Sequence, residues 1–313
     1  MAAAEKRVAD TEASRRCIQD YARLLIAVPD PFQAFATYFG TNIIQHDPDI
    51  ADGNHGDVEF LSARRAADPG AFLAETQYAT VVHNILADQD LVALKSHCFT
   101  ARADPGRVFV DIWRVADGKF VEHWSAIEPI SVNTRNPNAI WCGQGGNYEV
   151  ATTLGHTVAA PICGESGDAR HRSRSLATVR AFIDALQDPE RVSDAVAQHV
   201  ADDFAEYSPR LGSGKQALID HMSARNARGE TFREARCLAD GNLVLIHGKS
   251  TTPEHPLGYS QMHLYRVDNG LIVAHWAVRQ AIPTYSTAGH SMVEGPLEPG
   301  RARGSPPPGT AGH

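Results

Sequence analysis

The segment Trp113-Arg-Val-Ala-Asp-Gly-Lys-Phe-Val-Glu-His-Trp124 recurs as Tyr265-Arg-Val-Asp-Asn-Gly-Leu-Ile-Val-Ala-His-Trp276, with six of twelve positions identical at an offset of 152. At the same offset, Ala87-Asp88-Gln-Asp-Leu91-Val92 recurs as Ala239-Asp240-Gly-Asn-Leu243-Val244. Upstream, Asn42-Ile-Ile-Gln-His46-Asp47-Pro48 aligns with Asp203-Phe-Ala-Glu-Tyr207-Ser208-Pro209 at an offset of 161, the difference being a longer connection in the first copy around Ala67 to Thr76. A period this long marks a duplicated domain rather than a solenoid unit. The 313 residues accommodate two domains of ordinary size.

Each copy reads as helices first and strands afterwards. In the first, Ile18, Tyr21, Ala22, Leu25 and Val28 share one face at helical spacing within Glu12 to Val28. Asp30-Pro31 is an N-cap followed by Pro at N1, opening a second helix through about Phe39, and a third fits Asp57 to Ala66. Strands are expected at Tyr78–Leu86, Leu91–Thr100, Arg107–Val115 and Phe120–Glu128, with Asp117-Gly118 as the last hairpin turn. The second copy repeats the order, with helices near 176–186, 189–199 and 215–226. Its strands are expected near 231–239, 243–250, 259–267 and 271–281, the last pair turning at Asn269-Gly270. Helices grouped ahead of an antiparallel meander predict an α+β fold. The expected domains are 12–130 and 176–285, joined by a Gly/Asn/Ser-rich linker over 131–175, with a disordered tail over 294–313.

Composition excludes several function classes. Lys plus Arg is 29 against 37 for Asp plus Glu, a net charge of −8, so no basic footprint for nucleic acid is present. No apolar run approaches the ~20 residues that span a bilayer. Met1 to Arg16 has no apolar signal core. Five scattered cysteines form no CxxC or zinc spacing, and the expectation is reduced thiols in a cytoplasmic protein. Fifteen histidines form no HExxH or His-carboxylate cluster at helical spacing, so no metal is expected. Gly248-Lys249-Ser250 lacks the leading glycine of a phosphate loop, and Gly143-Gln-Gly145-Gly146 lacks the last glycine of a dinucleotide fingerprint.

The ordered set Gln45-His46-Asp47-Pro48 with Asp52-Gly53, Leu91-Val92 followed by His97, Asp111-Ile112-Trp113-Arg114, and Asp117-Gly118-Lys119 followed by Glu122-His123-Trp124 resembles the SnoaL-like polyketide cyclase family. That family belongs to the nuclear transport factor 2-like superfamily. The resemblance covers roughly 14–130 and, more weakly, 176–283. It implies two tandem cone-shaped α+β barrels, helices packed on a curved antiparallel sheet. It further implies an internal pseudo-dimer, open to homo-oligomerisation, with an interior pocket whose acid/base residues act on a small apolar substrate without metal or cofactor. By the same resemblance Asp111, His97 and His46 are the catalytic candidates. The second copy departs at each position, carrying His263, Lys249 and Tyr207, while His247 matches Lys95.

Strand alternation places Asp111 on one face with Phe109 and Trp113. A carboxyl group between large aromatics is desolvated, which raises its pKa and suits it to proton transfer. The alternative is an Asp at a sheet surface paired with Arg102 or Arg107. His97 lies on a mixed face and is equally a structural hydrogen-bonder, and His46 precedes a turn that it could cap. His123-Trp124 recurs in both copies and reads as chiefly architectural, with Phe109, Trp113, His123 and Trp124 shaping a pocket. In the second copy Gln261, His263, Tyr265 and Val267 occupy the equivalent face. There His263 is either an acid/base near neutral pH, aided by Tyr207 or His247 and flanked by Tyr265, or part of a decayed copy. The expected function is a cofactor-independent cyclase or isomerase of specialised metabolism that closes a ring on a small carbonyl-containing substrate. The alternatives are an epoxide hydrolase or dehydratase on the same scaffold, or a non-catalytic small-molecule binding protein.

Overall fold

The computed structural model describes residues 2–27, 32–67, 79–99, 106–130, 135–136, 138, 158–159, 169–294 and 302–304. The chain divides into two compact units. The first comprises Met1–Ile130, Glu149–Ile162 and Ile282–His313, and the second Ser131–Tyr148 and Cys163–Ala281.

In the first unit, α1 (Ala2–Ala27), α2 (Phe32–Tyr38), β1 (Phe39–Gln45) and α3 (Gly56–Ala67) precede the meander. The meander is β2 (Ala79–Asp88), β3 (Leu91–Phe99), β4 (Arg107–Ala116) and β5 (Lys119–Pro129), and β6 (Val158–Ala159) adds to its edge. The helical face read from sequence is the one that packs. Ile18, Tyr21, Ala22 and Leu25 are all buried, and Tyr21 meets Trp113 at 5.4 Å and Phe120 at 5.1 Å between ring centroids; Val28 lies outside the described residues. Each such large apolar side chain contributes about 1.5–3 kcal/mol on burial.

The second unit has α4 (Ala169–Ala185), a 3₁₀ turn (Pro189–Arg191), α5 (Val192–His199), β7 (Val200–Glu206) and α6 (Lys215–Ala227). Its meander is β8 (Thr231–Asp240), β9 (Leu243–Thr252), β10 (His255–Asp268) and β11 (Leu271–Ala281). Val179, Phe182, Val196, Phe204, Tyr265 and Ile272 form the centre of its core.

The two sheets share one strand order, β1-β5-β4-β3-β2 and β7-β11-β10-β9-β8, with β6 added beyond β2 in the first. Asp117-Gly118 and Asn269-Gly270 have positive φ at both residues, the type I′ geometry whose twist matches a right-handed hairpin. Bulges at Val82/Asn84 and Arg114/Val115, and at Glu234/Arg236 and Arg266/Val267, bend both sheets around their helices.

Both units have the expected α+β fold, helices packed on a curved sheet, and differ from the expectation in two details. The sheets are not closed barrels, because the outer strands at the two ends of each sheet do not pair with one another. Nor are they purely antiparallel. β1 runs parallel to β5 and β7 parallel to β11, and both are strands that the sequence reading absorbed into helices or loops.

Each unit also includes chain that follows the other in sequence. In the first unit, Thr287 N donates to Pro48 O at 2.8 Å, Tyr285 donates to Asp49 at 2.6 Å, and Met292 and Val293 are buried. β12 (Tyr285–Ser286) pairs with β13 (Ala302–Arg303), which lies within the tail expected to be disordered; most of the rest of that tail is outside the described residues. In the second unit, Asn136 Nδ2 donates to Ser208 O at 2.6 Å and Leu211 O at 2.8 Å, and Asn138 Nδ2 donates to Glu206 O at 2.8 Å. These two asparagines come from the expected linker, most of which also lies outside the described residues.

Candidate active site

Cross-strand register decides which candidates meet. In the first unit Asp111 pairs with Leu94 and Ser125, and Trp113 pairs with Val92 and His123. Leu94, Val92 and Trp113 belong to the helix-covered core, so Asp111 and His123 face the helices as well. Asp111 Oδ1 lies 3.1 Å from His123 Nε2, His123 Nδ1 lies 2.7 Å from Gln45 Oε1, and Gln45 Nε2 donates to Asp57 Oδ2 at 2.7 Å. His123 stacks on Trp113 at 5.0 Å and 11°. Beside this chain, Ser125 donates to Asp47 at 2.7 Å. Burial opposes a charge on His123, but the Asp111 hydrogen bond, together with the Asp111, Asp57 and Asp47 charges, holds its pKa above the ordinary value. Burial pushes Asp57 up to about 7 and also raises Asp47. The arrangement is a hydrogen-bonded acid/base chain able to hold and pass a proton.

His97 and His46 do not join it. His97 pairs with Val108, on the strand face opposite Leu94 and Asp111, and is 1% exposed. His46 donates from Nδ1 to Ser291 O at 2.6 Å, places Nε2 3.1 Å from Glu122, and stacks on Trp124 at 5.0 Å. Glu122 and Trp124 flank His123 in β5 and so face away from Asp111. Phe109 shares the Asp111 face.

The second unit builds its site at the same strand positions with different groups. His263 Nδ1 lies 3.0 Å from His275 Nε2, and His275 Nδ1 lies 2.8 Å from Glu206 Oε2. Glu206 is fully buried and accepts a second bond from Ser208 N at 2.7 Å. Tyr265 stacks on His275 at 4.7 Å, as Trp113 does on His123. Burial pushes the Tyr265 hydroxyl pKa up, keeping it a neutral donor.

Proton positions follow from donor logic. A carboxylate only accepts, so His275 Nδ1 carries a hydrogen toward Glu206. With both rings neutral, His275 Nε2 accepts from His263 Nδ1, and His263 Nε2 keeps a lone pair. The Gln261 Oε1 atom is placed 2.9 Å from that nitrogen; a lone pair on Nε2 requires the amide turned over, so that its N–H faces the ring. Burial first, then the His275, Arg225, Arg210 and His221 charges, hold the His263 pKa well below its ordinary value. The ring is therefore in its base form at neutral pH.

His263, His275, Gln261 and Tyr265 line a pocket that also has apolar walls such as Phe182, Phe204 and Phe232. It holds about 110 Å³, near the ~150 Å³ that admits benzene in an engineered cavity. Tyr207 and His247 are elsewhere. Tyr207 stacks on Trp276, which alternates with His275, and His247 pairs with Met262, the neighbour of His263, so both lie across the sheet from the pocket. His247 bonds instead with Ser260 and Arg236.

Glu206, Gln45, Asp57 and the arginines of the pocket were not singled out in the sequence. The available signal was the alignment of Gln45 with Glu206, immediately before the candidate pair His46 and Tyr207. Among the described residues no group of three His, Cys, Asp or Glu side chains is arranged to hold a metal ion. No described helix is long and apolar enough to cross a membrane.

Residues 179–275 match the SnoaL-like domain family model. No match is found among curated proteins. Among solved structures, a member of the SnoaL-like family from Agrobacterium tumefaciens str. C58 aligns at 19% identity over 34% of this chain and 98% of its own, with a TM-score of 0.30. An NTF2-like protein of unknown function from Mesorhizobium loti aligns at 18% identity over 35% of this chain and 93% of its own, TM-score 0.31. An LEH-like epoxide hydrolase from M. tuberculosis aligns at 20% identity over 35% of this chain and 84% of its own, TM-score 0.30. Residues 179–275 thus match a SnoaL-like domain, and the strand order of the sheet in that unit is repeated in the first unit.

Proposed function

We propose that the second unit is a general acid/base enzyme acting on a small carbonyl-containing substrate, as a cyclase or isomerase that needs no cofactor. The observation that carries this reading is the Glu206–His275–His263 chain ending in a pocket. His263 Nε2, once substrate displaces the Gln261 amide from it, takes the proton α to the carbonyl. The proton charge that arrives on His263 is stabilised through His275 by the buried Glu206 carboxylate, which fixes both tautomers. The enolate oxygen that develops is stabilised by donors already in the wall, the Gln261 amide and the guanidinium groups. The apolar walls exclude water, which favours attack of the enolate on a second carbon of the same molecule over competing hydration.

The Asp111–His123 pair occupies the same strand positions in the first unit and forms a second candidate proton-transfer pair, with His97 and His46 across the sheet from it.

The test is exchange of α-protons. Small aryl ketones and β-keto esters are incubated with the full chain in D₂O and loss of the α-proton signal is followed by NMR. General-base catalysis contributes about 10²–10⁴-fold, so His263→Gln should lose exchange by that factor while Asp111→Asn retains it. Equal exchange by His263→Gln and the parent chain would contradict the assignment. Incorporation of ¹⁸O from labelled water into product from an epoxide, without α-exchange, would replace it with hydrolysis.

A further inference from the structure

One imidazole in the second-unit pocket takes no part in the Glu206–His275–His263 chain. His221 lies in α6, where Leu218, His221, Met222 and Arg225 recur at three- and four-residue spacing and all line the cavity. Another wall is the sheet, with Gln261 and His263 on β10 and His275 on β11. The cavity holds about 110 Å³, so a ligand of one ring that fills it meets helix and sheet together.

His221 differs from the histidines of the two chains in having its nitrogens unused. His123, His263 and His275 each engage both ring nitrogens, as do His46 and His247. Neither nitrogen of His221 has a hydrogen-bond partner among the described residues. Polar groups withdrawn from water are normally satisfied, and a ring at a cavity wall that is not satisfied is available to whatever enters. Other donors of the wall are already engaged: Gln261 with His263, Arg225 and Arg228 with Glu230, and Arg210 with Ala277 O. A ligand oxygen gains a hydrogen bond from His221 without breaking one. Burial, followed by the Arg225 and Arg228 charges, pushes the His221 pKa down to about 4. At neutral pH the ring is uncharged, with one N–H to donate.

From this placement we infer that His221 is a second catalytic residue, donating its ring N–H to the substrate carbonyl oxygen while His263 removes the α-proton. The inference deepens the proposed function, on which it rests for His263 as the base. In the step, the α C–H bond breaks and its proton goes to His263 Nε2. The electron pair left behind forms the enolate double bond, and the carbonyl π pair moves onto the oxygen that accepts from His221. His221 keeps its own proton throughout. Its hydrogen bond strengthens as charge gathers on the oxygen, so it favours the transition state over the bound ketone. Base and donor come from different walls, which selects a ketone or ester whose α-carbon lies toward β10 and whose oxygen lies toward α6.

Infrared difference spectroscopy of [carbonyl-¹³C]acetophenone bound to the full chain reads this bond without turnover, because a carbonyl that accepts a hydrogen bond vibrates at lower frequency. The bound stretch in the parent should lie below that in His221→Phe, which keeps a ring of similar size and removes the N–H. His221→Gln restores an N–H and should recover part of the lowering, an outcome that a misfolded variant does not imitate. His263→Gln should keep the lowering. In the α-proton exchange assay His221→Phe should lose about 10²–10³-fold. Equal stretches in the parent and His221→Phe, no bound acetophenone in the parent, or no recovery in His221→Gln would overturn the inference. A lowered stretch without α-exchange would refute the base reading alone, and α-exchange with a stretch indifferent to His221 would refute this inference alone.

Discussion

His263 Nδ1 and His275 Nε2 lie 3.0 Å apart, with their rings within 11° of parallel. The equivalent contact in the first unit joins Asp111 Oδ1 to His123 Nε2 at 3.1 Å. The backbone positions are the same, but the negative charge has moved. In the first unit His123 stands between the acid Asp111 and the neutral Gln45, which in turn bonds Asp57; in the second His275 stands between the acid Glu206 and an imidazole. The histidine between them accordingly performs different tasks. His123 is held toward its charged form by Asp111, whereas His275 passes the influence of Glu206 to a neutral His263.

Exchanging Glu206 for Gln should invert this chain. Glu206 accepts from both His275 Nδ1 and Ser208 N, and an amide has one oxygen for two donors. If the amide nitrogen faces His275, that ring must accept at Nδ1 and donate at Nε2, leaving His263 with its hydrogen on Nε2 and no lone pair for substrate. Catalysis should fall by about 10²–10⁴-fold, and stability by about 1–3 kcal/mol for the mismatched buried donor. Rate measurements paired with urea unfolding check both.

Asp57 supplies a pH-dependent term in the first unit. Its carboxyl is pushed from 3.8 to about 7, with burial as the largest cause. The folded state therefore keeps a proton that the unfolded chain releases at lower pH, so stability falls as pH rises from about 4 to about 7 and levels off above. Each pKa unit corresponds to about 1.4 kcal/mol. Asp57→Asn keeps an acceptor for Gln45 Nε2 but cannot ionise. Urea unfolding at pH 5 and pH 8 should show the variant gaining on the parent by a few kcal/mol, and a pH-independent difference would contradict the assignment.

Asn136 is a further test of how the second unit is held. It is buried and donates to Ser208 O and Leu211 O while accepting from Asn138 N at 2.9 Å. Asn136→Ala strands buried polar partners, at a cost of about 1–3 kcal/mol. Because Asn138 also bonds the Glu206 carbonyl, amide exchange should accelerate across Glu206–Leu211 in the variant. Protection equal to that of the parent would mean that these bonds do not hold the segment.

The hairpins were legible in the sequence because Asp117-Gly118 and Asn269-Gly270 carry their geometry locally, and the buried face of α1 because helical spacing fixes it. β1 and β7 were not. Each follows a helix with little or no break, and Val200-Ala-Asp-Asp-Phe-Ala-Glu interrupts its alternation with exposed acids. Alternation put Asp111, Phe109 and Trp113 on one face. Which residues of the neighbouring strands share that face depends on register, and register separates His97 and His46 from Asp111 and brings in His123. The pocket arginines come from β11, α6 and the segments that flank α6, so only the folded chain gathers them.

The proposed chemistry requires a neutral His263 with an unprotonated Nε2 at the pocket, backed by His275 and Glu206. Histidine ¹⁵N NMR on the full chain at pH 7 reads it directly, with His263→Gln and His275→Gln used to assign the signals. His263 is expected to carry its hydrogen on Nδ1 and to show the shift of an unprotonated nitrogen at Nε2, with His275 protonated at Nδ1. A His263 protonated at Nε2, whether as the other neutral tautomer or as the cation, would contradict it.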